Sequence, residues 1–148
     1  MSWTELLTEP RRVTGVYCGT PSLKDFLIEK VIIETSRVII HGDFKAPPSP
    51  LPKRWAENGY THASARISAS GVVILNMSGG PRTGVDRNNC LVGNSVNLCI
   101  EESGDTWSPK EGLVFPYKIL SCESSFMTFN FICEHIDVTV EGYGPSAV

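Results

Sequence analysis

The sequence predicts a mainly β protein: a single antiparallel β-sandwich or strongly curved sheet of about eight strands, with one or two short N-terminal helices. Three observations carry this reading. Apolar residues alternate with polar ones from Phe26 onward. Turn-forming residues interrupt these runs at short spacing, and a helical period occurs only across residues 3–18. A chain of 148 residues suits one domain, expected over residues 3–141 with 142–148 as a C-terminal tail.

Ser2 and Glu5 have capping-box spacing, and Trp3, Leu6 and Leu7 share a helical face. Pro10 suits the first turn of a second helical segment, where its missing N–H does no harm. Val13, Val16 and Tyr17 follow at i, i+3 and i+4, and Gly19 can end that segment. These helices are expected to cover the sheet or one of its edges.

From Phe26 the period becomes two. Phe26 and Ile28, then Val31 and Ile33, alternate on either side of Glu29-Lys30, where one extra residue implies a bulge. A turn at Thr35-Ser36 returns the chain through Arg37–Phe44, giving a hairpin. Pro47, Pro48, Pro50 and Pro52 exclude a central strand, so residues 45–55 read as an extended crossover anchored by Trp55. A second strand pair is expected in Thr61–Ser70 and Val72–Met77, joined at Ser70-Gly71, with Leu75 and Met77 facing inward. Residues 78–91 read as a long loop. Further strands are expected at Val92–Glu101, Leu113–Ser121 and Phe126–Val140, the last split near Cys133–His135 where its phase reverses. The connection Glu102–Gly112 reads as a loop.

Five cysteines, odd in number and without a C-x-x-C pair, read as free thiols of a reducing compartment, which implies a cytoplasmic location. Apolar runs are too short to cross a bilayer as helices, and Met-Ser-Trp-Thr-Glu does not begin a secretory signal. No membrane partner is expected. Charge is uneven: residues 1–87 hold eleven Lys/Arg and eight Asp/Glu, whereas residues 88–148 hold two Lys and eight acids. The net charge of −3 and the lack of basic–aromatic interleaving disfavour nucleic acid as a partner.

No motif supports a reaction. Gly79-Gly80-Pro81-Arg82-Thr83-Gly84 lacks the Lys-Ser/Thr of a phosphate loop and reads as a turn. His41, His62 and His135 lie in separate strands without a second ligand at i+2 or i+4, so no metal site or cofactor is expected. No nucleophile has a nameable base, and no enzyme is expected. Glu101, Glu102 and Asp105 crowd one loop, and Glu134, Asp137 and Glu141 lie on the last strand pair. They read either as solvated surface or as a docking face for a basic partner. A different reading is a small-ligand-binding β domain with an apolar pocket between sheets, lined by Phe115, Tyr117, Phe126, Phe129 and Phe131. Those aromatics serve equally as core.

Trp3, Leu7 and Pro10, then Tyr17-Cys18-Gly19-Thr20-Pro21-Ser22-Leu23, begin a pattern spanning roughly residues 3–141. It continues through Val31–Phe44, the Pro-Pro-x-x-x-Pro-Lys-Arg-Trp segment at 47–55, and Gly71-Val72 leading to Leu75-Asn76-Met77-Ser78-Gly79. This pattern resembles the immunity proteins of bacterial polymorphic toxin systems, specifically the immunity protein 50 family. Gly80 departs from it, standing where an aromatic residue is expected. The resemblance implies a non-enzymatic inhibitor of a cognate toxin domain, with no cofactor and no catalytic residues. If that toxin is a basic nuclease, Glu101, Glu102, Asp105, Glu134, Asp137 and Glu141 are the expected contacts, with Trp107 as an aromatic anchor.

Overall fold

The structure, a computed structural model, describes residues 2–81, 95–102 and 116–144. Eight antiparallel strands form one sheet: β1 (Phe26–Glu34), β2 (Arg37–Asp43), β3 (His62–Ser70), β4 (Ile74–Gly79), β5 (Ser95–Glu102), β6 (Lys118–Glu123), β7 (Met127–Cys133) and β8 (His135–Tyr143). Their spatial order is β4-β7-β6-β5-β1-β2-β3-β8. A 3-10 helix (Trp3–Leu6), α1 (Arg11–Tyr17) and α2 (Lys53–Asn58) complete the described elements. No described helix is long and apolar enough to cross a membrane.

The sheet folds over on itself at two places, which makes it sandwich-like without closing it. The first is β5. Among the described residues its start pairs with β1 at Phe26↔Val96 and Leu27↔Ser95, and residues Asn97–Glu102 pair with β6 instead. The second is a corner shared by two chain segments. β3 runs on into β4, β7 runs on into β8, and the two segments pair along most of their length, from His62↔Tyr143 to Ser70↔His135 and from Ile74↔Ile132 to Gly79↔Met127. β3 and β4 are therefore not the hairpin expected from the sequence. Gly71, at φ 64°, turns the chain across the corner, and Glu134 bridges it by donating its N–H to the carbonyls of Ser70 and Gly71.

The phase reversal in the last strand run follows from the same corner. Met127, Phe129, Phe131 and Cys133 face the core from one layer; after Glu134, Ile136 and Val138 face it from the other. Side chains from both layers form one cluster, with Phe26, Ile40, Ile67, Leu120, Phe131 and Ile136 fully buried. Each such side chain stabilises the fold by about 1.5–3 kcal/mol relative to exposure. The bulge expected in β1 is present as a register shift between Ile28 and Lys30.

The N-terminal segment covers the β8 edge and packs on the core. Thr8 donates its N–H to Ile136 O at 2.9 Å, Leu7 and Val13 are buried, and Trp3 Nε1 donates to Pro21 O at 2.8 Å. Trp3, Tyr17 and Phe26 each pack against the ring of Phe44. The capping box does not form, because Ser2 Oγ meets Thr4 Oγ1 rather than an amide.

Other boundaries move. Lys53–Asn58 is a helix rather than extended crossover: Pro52 precedes its first turn and Gly59, at φ 70°, ends it. Trp55 on that helix packs against the core as expected. β4 begins at Ile74, because Val72 and Val73 are used at the corner, donating to Ser36 O and Ile132 O. Leu75 pairs with buried Phe131 but stays 42% exposed, since β4 is an edge strand. β6 is assigned from Lys118 to Glu123, and β8 extends to Tyr143, into the stretch expected as tail.

Candidate functional site

The outer face of the β1-β2-β3-β8 layer concentrates the polar side chains. His62, Ser64, Arg66, Ser68 and Ser70 alternate outward along β3, while Ala63, Ala65, Ile67 and Ala69 fill the core. Directly paired residues share a face. Register therefore places Arg37, His41 and Asp43 of β2 on one side of this row, and His135, Asp137, Thr139, Glu141 and Tyr143 of β8 on the other.

One end of this face is cationic and concave. Short hydroxyl side chains at Ser68 and Ser70 give it a low floor, and Arg37, Arg66, His135 and Thr139 stand around them. Thr8 and Arg12 close the side beyond β8, leaving a groove of about 460 Å³. Arg12 Nη1 meets the Asp137 carboxylate at 2.5 Å, and Arg37 forks onto Glu34 through Nε at 3.0 Å and Nη2 at 2.6 Å. Arg66 makes no hydrogen bond or ion pair with the described residues, and neither do the hydroxyls of Ser68, Ser70 and Thr139. Arg66 and these three hydroxyls are thus groups of the groove that no described residue engages.

The other end is anionic. The Tyr143 hydroxyl donates to the Asp43 carboxylate, and the His62 ring stacks on Tyr143 with centroids 5.1 Å apart. Burial pushes Asp43 above the usual carboxylate range against the lowering effect of the Tyr143 hydrogen bond. Burial, with Asp43 and Glu29 nearby, pushes Tyr143 up to about 12. Between the two ends, burial holds His41 below the usual imidazole range, assisted by the positive charges of Lys30 and Arg66. A field that changes sign across one rigid face can fix the orientation of a docked partner.

The acidic residues singled out in the sequence do not form one patch. Glu101 lies on the outer face of the other layer, in the rung Ile74, Ile132, Ile119 and Glu101. Glu102 pairs with Lys118 at the end of β5, and Lys118 Nζ donates to Glu134 O at 3.3 Å, so these two acids lie near one lysine. Asp137 is tied to Arg12 inside the cationic groove, and Glu141 lies opposite Ser64 toward the anionic end. Asp105 and Trp107 fall outside the described residues. The arginines that build the groove were not singled out, because α1, β2 and β3 each supply one. Their only sequence signal is the outward phase of Arg37 and Arg66.

The aromatics considered for an internal pocket are used in packing. Phe129 and Phe131 stack with centroids 4.6 Å apart, Tyr117 is buried, and Phe126 packs on the core; Phe115 lies outside the described residues. Among the described residues no group of three or more His, Cys, Asp or Glu side chains is arranged to hold a metal ion. No protein-family model, curated protein or solved structure matches the chain.

Proposed function

We propose that this chain is an immunity-type binding protein: it docks a cognate bacterial toxin domain on the outer face of β1, β2, β3 and β8, and neutralises it without catalysing a reaction. The resemblance in sequence supplies the class of partner. The observation that carries the docking face is the presence, on one four-stranded surface, of Arg66 and three hydroxyls without partners among the described residues, beside an oppositely charged end. Hydrogen-bonding groups left to solvent on a preformed face are those an interface can use without reorganising the core. The anionic end, with Asp43 and Glu141, suits a basic toxin surface such as that of a nuclease.

The test is co-expression with any candidate toxin domain encoded beside this gene, followed by co-purification. Rescue with a stable complex is the expected result. Ser64→Arg, which crowds this face, is expected to weaken the complex, whereas Asn130→Arg on the other layer's outer face leaves it intact. Continued toxicity of an active toxin with no complex rejects that toxin as the partner. Equal effects of the two substitutions reject the face.

A further inference from the structure

We propose that the cationic groove is an oxyanion site that receives the carboxylates of an acidic segment of the partner protein, with Arg66 as its anchor; the assignment to the partner rests on the binding reading above. Three arginines face one carboxylate within the lining, and that carboxylate, Asp137, is already engaged by Arg12. Arg37 is oriented by its fork onto Glu34, which uses Nε and Nη2. Arg66 has its full donor set available. A guanidinium matches a carboxylate with two parallel hydrogen bonds, and hydroxyl donors at Ser68, Ser70 and Thr139 can complete the shell of such an anion.

The shape favours an extended segment over a single small ion. The groove follows the β3/β8 ladder from Ser70 and His135 to Arg66 and Thr139, two rungs further along each strand pair face. Its volume of about 460 Å³ is many times that of one carboxylate and open enough to admit a chain passing through. His41, opposite Arg66, is held below the usual imidazole range mainly by burial, with the positive charges of Lys30 and Arg66 adding to it. A basic segment meets Arg66 directly at this end, which sets the polarity of docking: acidic side of the partner on the groove, basic side on Asp43 and Glu141.

The experiment measures binding of fluorescent hexaglutamate to the whole chain, with inorganic phosphate and hexalysine as comparison probes. Hexaglutamate is expected to bind, to weaken as salt rises, and to bind about tenfold or more weakly to Arg66→Gln, in line with loss of a charge-assisted contact. Ser68→Asp, which adds a carboxylate to the floor, is expected to abolish binding. Lys53→Gln, the same charge change on the exposed helix α2, is expected to leave it unchanged, with thermal melts confirming that all variants fold. No hexaglutamate binding, equal binding to Arg66→Gln, or binding of phosphate alone overturns the proposal. A toxin complex unaffected by Arg66→Gln overturns the groove assignment while leaving the binding reading standing. Arg66-dependent hexaglutamate binding without any toxin complex does the reverse.

Discussion

Gly71 and Glu134 interlock at the corner where the two layers meet. The Glu134 amide donates to Ser70 O at 3.1 Å and Gly71 O at 3.2 Å, and the Glu134 side chain occupies the space a Cβ on Gly71 needs, within 2.9 Å. Replacing Gly71 by alanine therefore meets both a left-handed φ of 64° and a steric clash. Gly71→Ala is expected to destabilise the protein by about 1–3 kcal/mol, read as a lower urea midpoint at constant m-value. Adding Glu134→Ala removes the clashes with Cγ and Cδ but keeps the Cβ contact at 2.9 Å and the backbone strain, so recovery is partial. Full recovery would show that φ at this corner is not constrained.

Phe131 and Leu75 are cross-strand partners with opposite energetic weight. Phe131 is fully buried under both layers, whereas Leu75 lies on the edge strand and is 42% exposed. Phe131→Ala is expected to cost about 3–5 kcal/mol through lost burial and the cavity left behind. Leu75→Ala is expected to cost far less. Chemical denaturation of the two variants checks the ranking, and similar losses would contradict it.

Asp43 predicts a pH signature. Burial raises its folded pKa above the unfolded value, so its contribution to stability is fully present below the unfolded pKa of about 3.9 and is lost as pH rises through the raised folded value. Asp43→Asn removes that loss and keeps an oxygen to accept the Tyr143 hydroxyl. Its Tm is expected to exceed that of the parent at pH 7 and to match it at pH 3. A lower Tm at pH 7 would mean that the charge–hydroxyl bond outweighs desolvation.

The thiols divide by burial. Burial pushes Cys122 up to about 11 and Cys133 up to about 12, so neither presents appreciable thiolate at pH 8. Cys18 is exposed at the end of α1. Brief treatment of the native protein with iodoacetamide, followed by peptide mass spectrometry, is expected to modify Cys18 and to spare Cys122 and Cys133 until the chain is unfolded. Rapid native labelling of Cys133 would contradict the packing at the end of β7.

Much of the architecture is legible in local pattern, because a strand with one buried face must alternate. The rows Val38, Ile40, Phe44 and Ala63, Ala65, Ile67 identify their strands and their inward faces without reference to anything distant, and the extra residue at Glu29-Lys30 announces its bulge. The phase break after Cys133 likewise marks the change of layer. α2 was missed because four prolines dominate its approach, although Pro52 and Gly59 bracket it as helix ends usually are bracketed.

By itself, the sequence determined a mainly β fold, the inward face of most strands, and the N-terminal cover, since each depends on periodicity within a few residues. Only the tertiary structure decided which strands pair, that β3 joins β8 rather than β4, and that Arg12, Arg37 and Arg66 share one groove while the acidic residues are distributed over both layers. The physical reason is that burial imprints a local period on each strand, whereas strand order and side-chain convergence depend on contacts far apart in the chain: Arg12 meets Asp137 across 125 residues, and no local pattern encodes that distance.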